Sequence, residues 1–212
     1  MTHGNVRRSQ TYALPKLFMD IIAKVAAEVA TSSGSNIASL VSQELTAVSD
    51  DDAQFRQRLM GPIYEENSGV TRFILTTLAE DEMTKENKQD LWQWEKGQYI
   101  WTIEHILPQG ANLPQAWLDM LGGQANAIEV QTQHVHRLGN LTITGYNSNL
   151  GNKSFPEKRD RADSAGRYIG YRNGLSLNAD VVTQTQWAGE EIEERTTNIT
   201  DRVLERFPLV SI

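Results

Sequence analysis

Cysteine is missing from the chain altogether, which excludes disulfides and thiolate metal ligands and fits a reducing, cytoplasmic setting. Also missing are an apolar run long enough to cross a bilayer and a secretory leader at the N-terminus. An excess of positive charge is absent too. Lys and Arg number 20 against 27 Asp and Glu, a net charge of −7, which argues against a protein that coats nucleic acid nonspecifically. It leaves open a protein that meets nucleic acid at one small site, because a divalent cation and a local basic patch offset the field. Such a patch exists between residues 153 and 172, where Lys153, Lys158, Arg159, Arg161, Arg167 and Arg172 face Glu157, Asp160 and Asp163. The surplus acid lies elsewhere, around Asp50 to Glu104 and Glu190 to Glu205.

What is present is an ordinary globular composition, 39% hydrophobic and 22% charged over 212 residues, enough for one good-sized core or two small ones. Residues 1–10 are polar and expected to fray. Leu14, Leu17, Phe18, Ile21, Ile22, Val25 and Val29 recur at helical spacing, with Pro15 expected in the first turn. Thr31 to Ser35 stops that helix, and Ile37, Leu40, Val41, Leu45 and Val48 predict a second. Ser49 before Asp50, Asp51 and Asp52 reads as the N-terminus of a third, the acids placed where the helix dipole favours them. Val70, Phe73, Ile74 and Leu78 predict a further helix ending in Glu80-Asp81-Glu82, and another is expected from Thr84 through Leu91, Trp92 and Trp94.

The chain then changes character. Tyr99 to Ile106 alternates like a short strand that Pro108 ends, and it carries Glu104 beside His105. A short helix through Trp117, Met120 and Leu121 is stopped by Gly122-Gly123, and a polar stretch leads to His134-Val135-His136. That His-x-His pair has no Cys and no other His near it in sequence, which argues against a zinc site. Both histidines read as structural or substrate-facing. Gly139-Asn140 turns into the strand Leu141 to Thr144, and Asn147-Ser148-Asn149 opens a helix. Leu175 to Asn178 is a link, and Trp187 to Phe207 is a charged amphipathic helix carrying Ile192, Ile199, Val203 and Leu204.

The order Glu104-His105-x-x-Pro108-Gln109, then Asn140-Leu141-Thr142-Ile143-Thr144, then Asn149-x-Gly151-x-Lys153-Ser154 resembles the HNH, or ββα-metal, nuclease motif. It is most similar to the C-terminal nuclease domain of GmrSD-type restriction enzymes, a group that includes SspE-like phage-defence proteins. It also resembles the HNH domain of RNA-guided CRISPR nucleases. The likeness extends over roughly residues 70–208, with Arg72 to Met83 and the Trp187 to Phe207 helix as framing elements.

The resemblance implies a mainly α fold (α+β), a helical bundle carrying a small ββα-metal core. The expected division is a helical support over 1–96, the nuclease core over 97–172, and a C-terminal helix within 173–212 packing back on the core. It implies a DNA endonuclease in which His105 is the general base and Glu104 and Asn149 hold Mg²⁺ or Mn²⁺. Asn140 would brace the backbone carrying His105, though an ordinary turn asparagine is the plainer alternative. Asn152 competes with Asn149 for the ligand role, and Lys153, Lys158 and Arg159 are candidates for phosphate contacts. A ParB-like nucleotide-hydrolysing sensor domain commonly precedes such nucleases, so the chain is expected to be a nuclease subunit or the C-terminal half of a larger protein. Two alternatives stand beside this: a non-catalytic DNA- or protein-binding module with a decayed nuclease core, and an RNase using the same chemistry.

Overall fold

The computed structural model describes residues 3–31, 34 and 36–208, with side chains from Pro15 onward. Helices dominate, and the strands are short. The chain divides into two compact units, one made of the described residues up to Ala53 with Pro208, the other of residues 54–207. None of the described helices is long and apolar enough to cross a membrane.

The first unit contains α1 (His3–Thr31) and α2 (Ile37–Thr46). The helix α1 begins well before the expected start, so Pro15 lies inside it rather than in its first turn. Met1 and Thr2, and the side chain of Leu14, lie outside the described residues. Lys24 meets Glu44 across the pair at 2.5 Å. Of the described apolar side chains expected to form one face, Ile21 is buried, whereas Phe18, Ile22, Val29, Leu45 and Val48 are exposed.

The second unit takes in α3 (Asp52–Leu59) from Gln54 onward, then α4 (Ile63–Glu66) and α5 (Ser68–Asp81). Asn67 caps α5 by accepting the Val70 N–H at 3.0 Å. The expected helix from Thr84 does not form. Asn87 accepts the backbone N–H of Thr84, and Asp90 that of Trp92, local bonds that compete with a helical ladder. The segment ends in a hairpin, β1 (Trp94–Glu95) against β2 (Gln98–Tyr99), turned at Lys96 and Gly97, both with positive φ. Leu91 is buried, but Trp92 and Trp94 are exposed. Arg72 crosses beneath them. Its guanidinium donates to the carbonyls of Leu91 and Trp101 and lies 3.8 Å from the Tyr99 ring centroid.

The strand β3 (Thr102–His105) is shorter than the sequence suggests, and β4 (Leu141–Thr144) pairs with it antiparallel, Glu104 opposite Thr142 and His105 opposite Leu141. Between them lie α6 (Gln115–Met120) and α7 (Gln124–His134). The polar stretch of the sequence is thus a helix, and His134 is its last residue. After β4 come α8 (Asn147–Leu150), α9 (Phe155–Asp160) and α10 (Gly189–Arg206).

Two apolar clusters hold the β3–β4 pair between them. Leu141 and Ile143 belong to one, with Leu75 and Leu78 of α5 and Ile199 and Val203 of α10. Ile106 and Leu107, just past β3, belong to the other, with Trp117, Leu150, Phe155, Trp187 and Ile192. Each such side chain contributes roughly 1.5–3 kcal/mol when fully buried, so the strand ends are anchored on both sides. The helix α10 reaches β4 through Gly139. A Cβ there would stand 2.0 Å from the Ile192 carbonyl oxygen and 2.5 Å from Thr196 Oγ1, so only glycine allows the approach. The buried Arg195 then donates to the carbonyls of Gly139, Leu141 and Leu177 and pairs with Asp180.

Candidate active site

Adjacent strand residues point to opposite faces, and β3 sends Glu104 and His105 apart. Glu104 is 3% exposed. Its Oε1 accepts from Lys158 Nζ at 2.7 Å and from the Tyr171 hydroxyl at 3.4 Å. The same ammonium reaches the carbonyl oxygens of His105 at 2.7 Å and Ile106 at 3.1 Å. Burial pushes the Glu104 carboxyl up, against the pull of Lys158, and pushes the Lys158 ammonium down, against the pull of Glu104. The two shifts share one cause, the cost of removing charge from water, which a short ion pair offsets only in part.

On the other face, His105 is 6% exposed. The Tyr64 ring meets it edge-on at 4.6 Å, and its Nε2 lies 3.4 Å from His136 Nδ1. Tyr64 and His136 are half-buried and stack on each other at 5.5 Å, and the Tyr64 N–H donates to the His136 carbonyl. Burial, and after it His136 and Lys158, push the His105 imidazole down to about 3. It is therefore neutral at pH 7. His136, which sequence left between a structural and a substrate-facing role, is the imidazole nearest to it. His134 is buried against Gly189, and its Nδ1 has no hydrogen-bond partner among the described residues.

Asn140 is fully buried and uses its whole amide. Its Oδ1 accepts from the Leu107 N–H at 2.7 Å and Trp187 Nε1 at 3.1 Å, while Nδ2 donates to the carbonyls of Leu107 and Val135, each at 3.0 Å. The amide thus spans to the backbone two residues beyond His105. Asn147 likewise ties α8 to β3, its Nδ2 donating to the Ile103 carbonyl at 2.8 Å. Sequence reasoning passed over Asn147 as a plain helix opener. Asn149 is exposed on α8 and has no side-chain hydrogen bond among the described residues. Asn152 is exposed and spends its Nδ2 on the Asn112 carbonyl.

The basic candidates part company. Lys158 is fully buried, so it is not a solvated phosphate contact: Phe155 and Lys158 lie one turn apart on α9 and both face inward. Arg159 grips both oxygens of Asp160 and the Gln184 carbonyl, and Arg172 Nε shares Oδ1 of the same Asp160, so both guanidinium groups are ion-paired. Arg167 pairs with Asp163. Lys153 is half-buried and, with Arg161, carries no ion pair among the described residues. The patch that looks basic in sequence is largely neutralised from within.

No group of three His, Asp or Glu side chains suited to a metal ion occurs among the described residues. The donors singled out by sequence are one carboxylate and one amide oxygen. Both are hard, and so few protein ligands suit an ion such as Mg²⁺, which retains waters and borrows phosphate oxygens. The bonds to Glu104 engage Oε1, which leaves Oε2 as the oxygen to offer.

No curated protein and no solved structure matches the chain. One protein family does, described as GmrSD restriction endonucleases, C-terminal domain, and it matches residues 49–202. That stretch includes β3, β4, Asn140 and α8 to α9 and most of α10. The chain belongs to the family of GmrSD restriction endonuclease C-terminal domains, a nuclease family of restriction and phage defence.

Proposed function

We propose that this chain is a metal-dependent HNH endonuclease that hydrolyses phosphodiester bonds in DNA, with β3, β4 and α8 as its ββα-metal core. The observation that carries the proposal is the placing of a neutral His105 and a carboxylate on consecutive residues of β3, held from below by the fully bonded Asn140, within a chain of this family.

His105 takes the proton from water as the oxygen attacks phosphorus in line with the leaving oxygen. Asn140 keeps the peptide at Leu107 fixed, and so the strand end that carries the imidazole. The ring is nearly buried, so water reaches it when its half-exposed neighbours Tyr64 and His136 shift. Glu104 Oε2 and the amide oxygen of Asn149 would hold Mg²⁺ or Mn²⁺. When bound, such an ion offsets the negative charge growing on the phosphate and the leaving oxygen. Lys153, near the start of α9, is the surviving candidate for a phosphate contact. The protein acts in the cytoplasm, and a ParB-like nucleotide-hydrolysing sensor domain or subunit supplies the choice of DNA.

The burial of both His105 and Glu104 favours a second reading, a non-catalytic module retaining a nuclease core. Nicking of supercoiled plasmid with Mg²⁺ and with EDTA separates the two: cleavage abolished by EDTA supports the enzyme, and intact plasmid under both conditions removes it. Asn149→Ala should raise the Mg²⁺ needed for half-maximal cleavage, and an unchanged titration would remove Asn149 as a ligand. Single-stranded RNA cut faster than DNA in the same assay would make the substrate RNA.

A further inference from the structure

We propose that Lys158 is a positioning residue of this site: its ammonium commits Oε1 of Glu104 and leaves Oε2 as the one carboxylate oxygen turned toward a cation. This rests on the nuclease proposal above and adds a residue that sequence assigns to the surface.

The geometry is that of a built clamp. Lys158 is fully buried, and its three acceptors are Glu104 Oε1 and the carbonyl oxygens of His105 and Ile106. An ammonium has three donors, so each is used and none is left for solvent or a phosphate. One group therefore fixes both the carboxylate and the backbone on either side of the catalytic strand end. The helix that carries it is fixed in turn. Ser154 and Glu157 form a capping box at the start of α9. Gly170 packs so closely on the far side that a Cβ would lie 2.1 Å from the Lys158 carbonyl oxygen. That approach delivers Tyr171, whose N–H donates to the same carbonyl and whose hydroxyl is the second donor to Oε1. Among the described residues no hydrogen bond engages Oε2.

Lysine suits this task because it is a point donor, whereas the guanidinium of arginine is a planar fork that engages both oxygens of a carboxylate. A purely structural ion pair would accept either cation. A positioning lysine would not, since the fork covers the oxygen the metal needs. Removing the cation altogether leaves a buried carboxylate unpaired, and it turns toward solvent and away from the metal position.

The test uses the full chain. Mn²⁺ binding to the free protein is followed by electron paramagnetic resonance, which needs no catalysis, and plasmid nicking is titrated with Mg²⁺. Both K158R and K158M should weaken Mn²⁺ binding by about 10-fold or more, as loss of an outer partner of a metal ligand typically does. Both should raise the Mg²⁺ requirement, and K158R should keep the parental circular dichroism. Parental Mn²⁺ binding by folded K158R or K158M overturns the role of Lys158. If neither variant folds, Tyr171→Phe decides, since it removes only the second donor to Oε1: weakened Mn²⁺ binding supports the clamp and parental binding overturns it. E104Q is the control for the underlying proposal. Parent binding that E104Q leaves unchanged sinks the metal site itself, and the positioning role with it.

Discussion

Asn140 shows how much one amide contributes to this site. Its replacement by alanine strands the Leu107 N–H and carbonyl, the Val135 carbonyl and the Trp187 indole N–H, all in or beside the core. Each unsatisfied buried group costs about 1–3 kcal/mol, so Asn140→Ala should cost at least about 3 kcal/mol. For a domain of this size that lowers Tm by roughly 6–12 °C, measurable by calorimetry, and a fall under about 2 °C would show that the brace carries little. The two buried histidines set the response to acid. His105 is held at about 3, by burial first, and His134 is also held low, by burial and then Arg137. The unfolded chain takes up these protons near pH 6.5 while the folded one refuses them. Stability is therefore full above about pH 6.5 and declines as pH falls below it, down to about pH 3 for His105. Melting curves from pH 8 to pH 4 should show this decline, and His134→Gln should flatten it. An unchanged slope would mean that His134 titrates normally in the fold.

Among the elements, those with a face buried at regular spacing were legible. Leu-Thr-Ile-Thr gives β4 to the residue, a run rich in β-branched residues that is buried at every position, and Ile192, Ile199 and Val203 give α10, whose burial follows the helical period. The helix α7 was not legible, since only Ala127 and His134 of it are buried and its pattern is too sparse to announce a face. The segment after Thr84 misled in the opposite direction. Leu91 and Trp94 fall at helical spacing, but Asn87 and Asp90 cap local turns instead. At the site, Glu104, His105 and Asn140 could be picked out because they stand in a motif. Lys158 stands out in the sequence only as a candidate phosphate contact, because a lysine near a helix start usually lies in water. The available signal was its place one turn after Phe155, on the inward face of α9. Gly139 is where element packing and site meet. Gly139→Ala drives a methyl into the Ile192 carbonyl and Thr196, so α10 must withdraw. The loss should be about 3 kcal/mol, at the upper end for overpacking, with faster amide exchange across Leu141 to Thr144. Parental exchange there would show that α10 accommodates the methyl without moving.

At the scale of the whole molecule, the match to the family falls almost entirely on the unit spanning residues 54–207. The unit before it leaves Phe18, Ile22 and Val29 exposed on α1. The chain is acidic overall, with a net charge of −7, and pairing within the fold consumes much of its one basic stretch. A nuclease of this kind relies on a small, pre-shaped centre rather than on broad attraction to phosphate. The centre proposed for it is His105 on a braced strand, with Glu104 clamped behind it. The most direct measurement is the rate at which His105→Ala nicks supercoiled plasmid in Mg²⁺, beside the parent and with folding checked by circular dichroism. The expected result is a folded protein whose rate is lower by about 10² to 10⁴, the usual worth of a general base. A folded His105→Ala that cuts as fast as the parent would contradict the catalytic role of this histidine, and the proposed site with it.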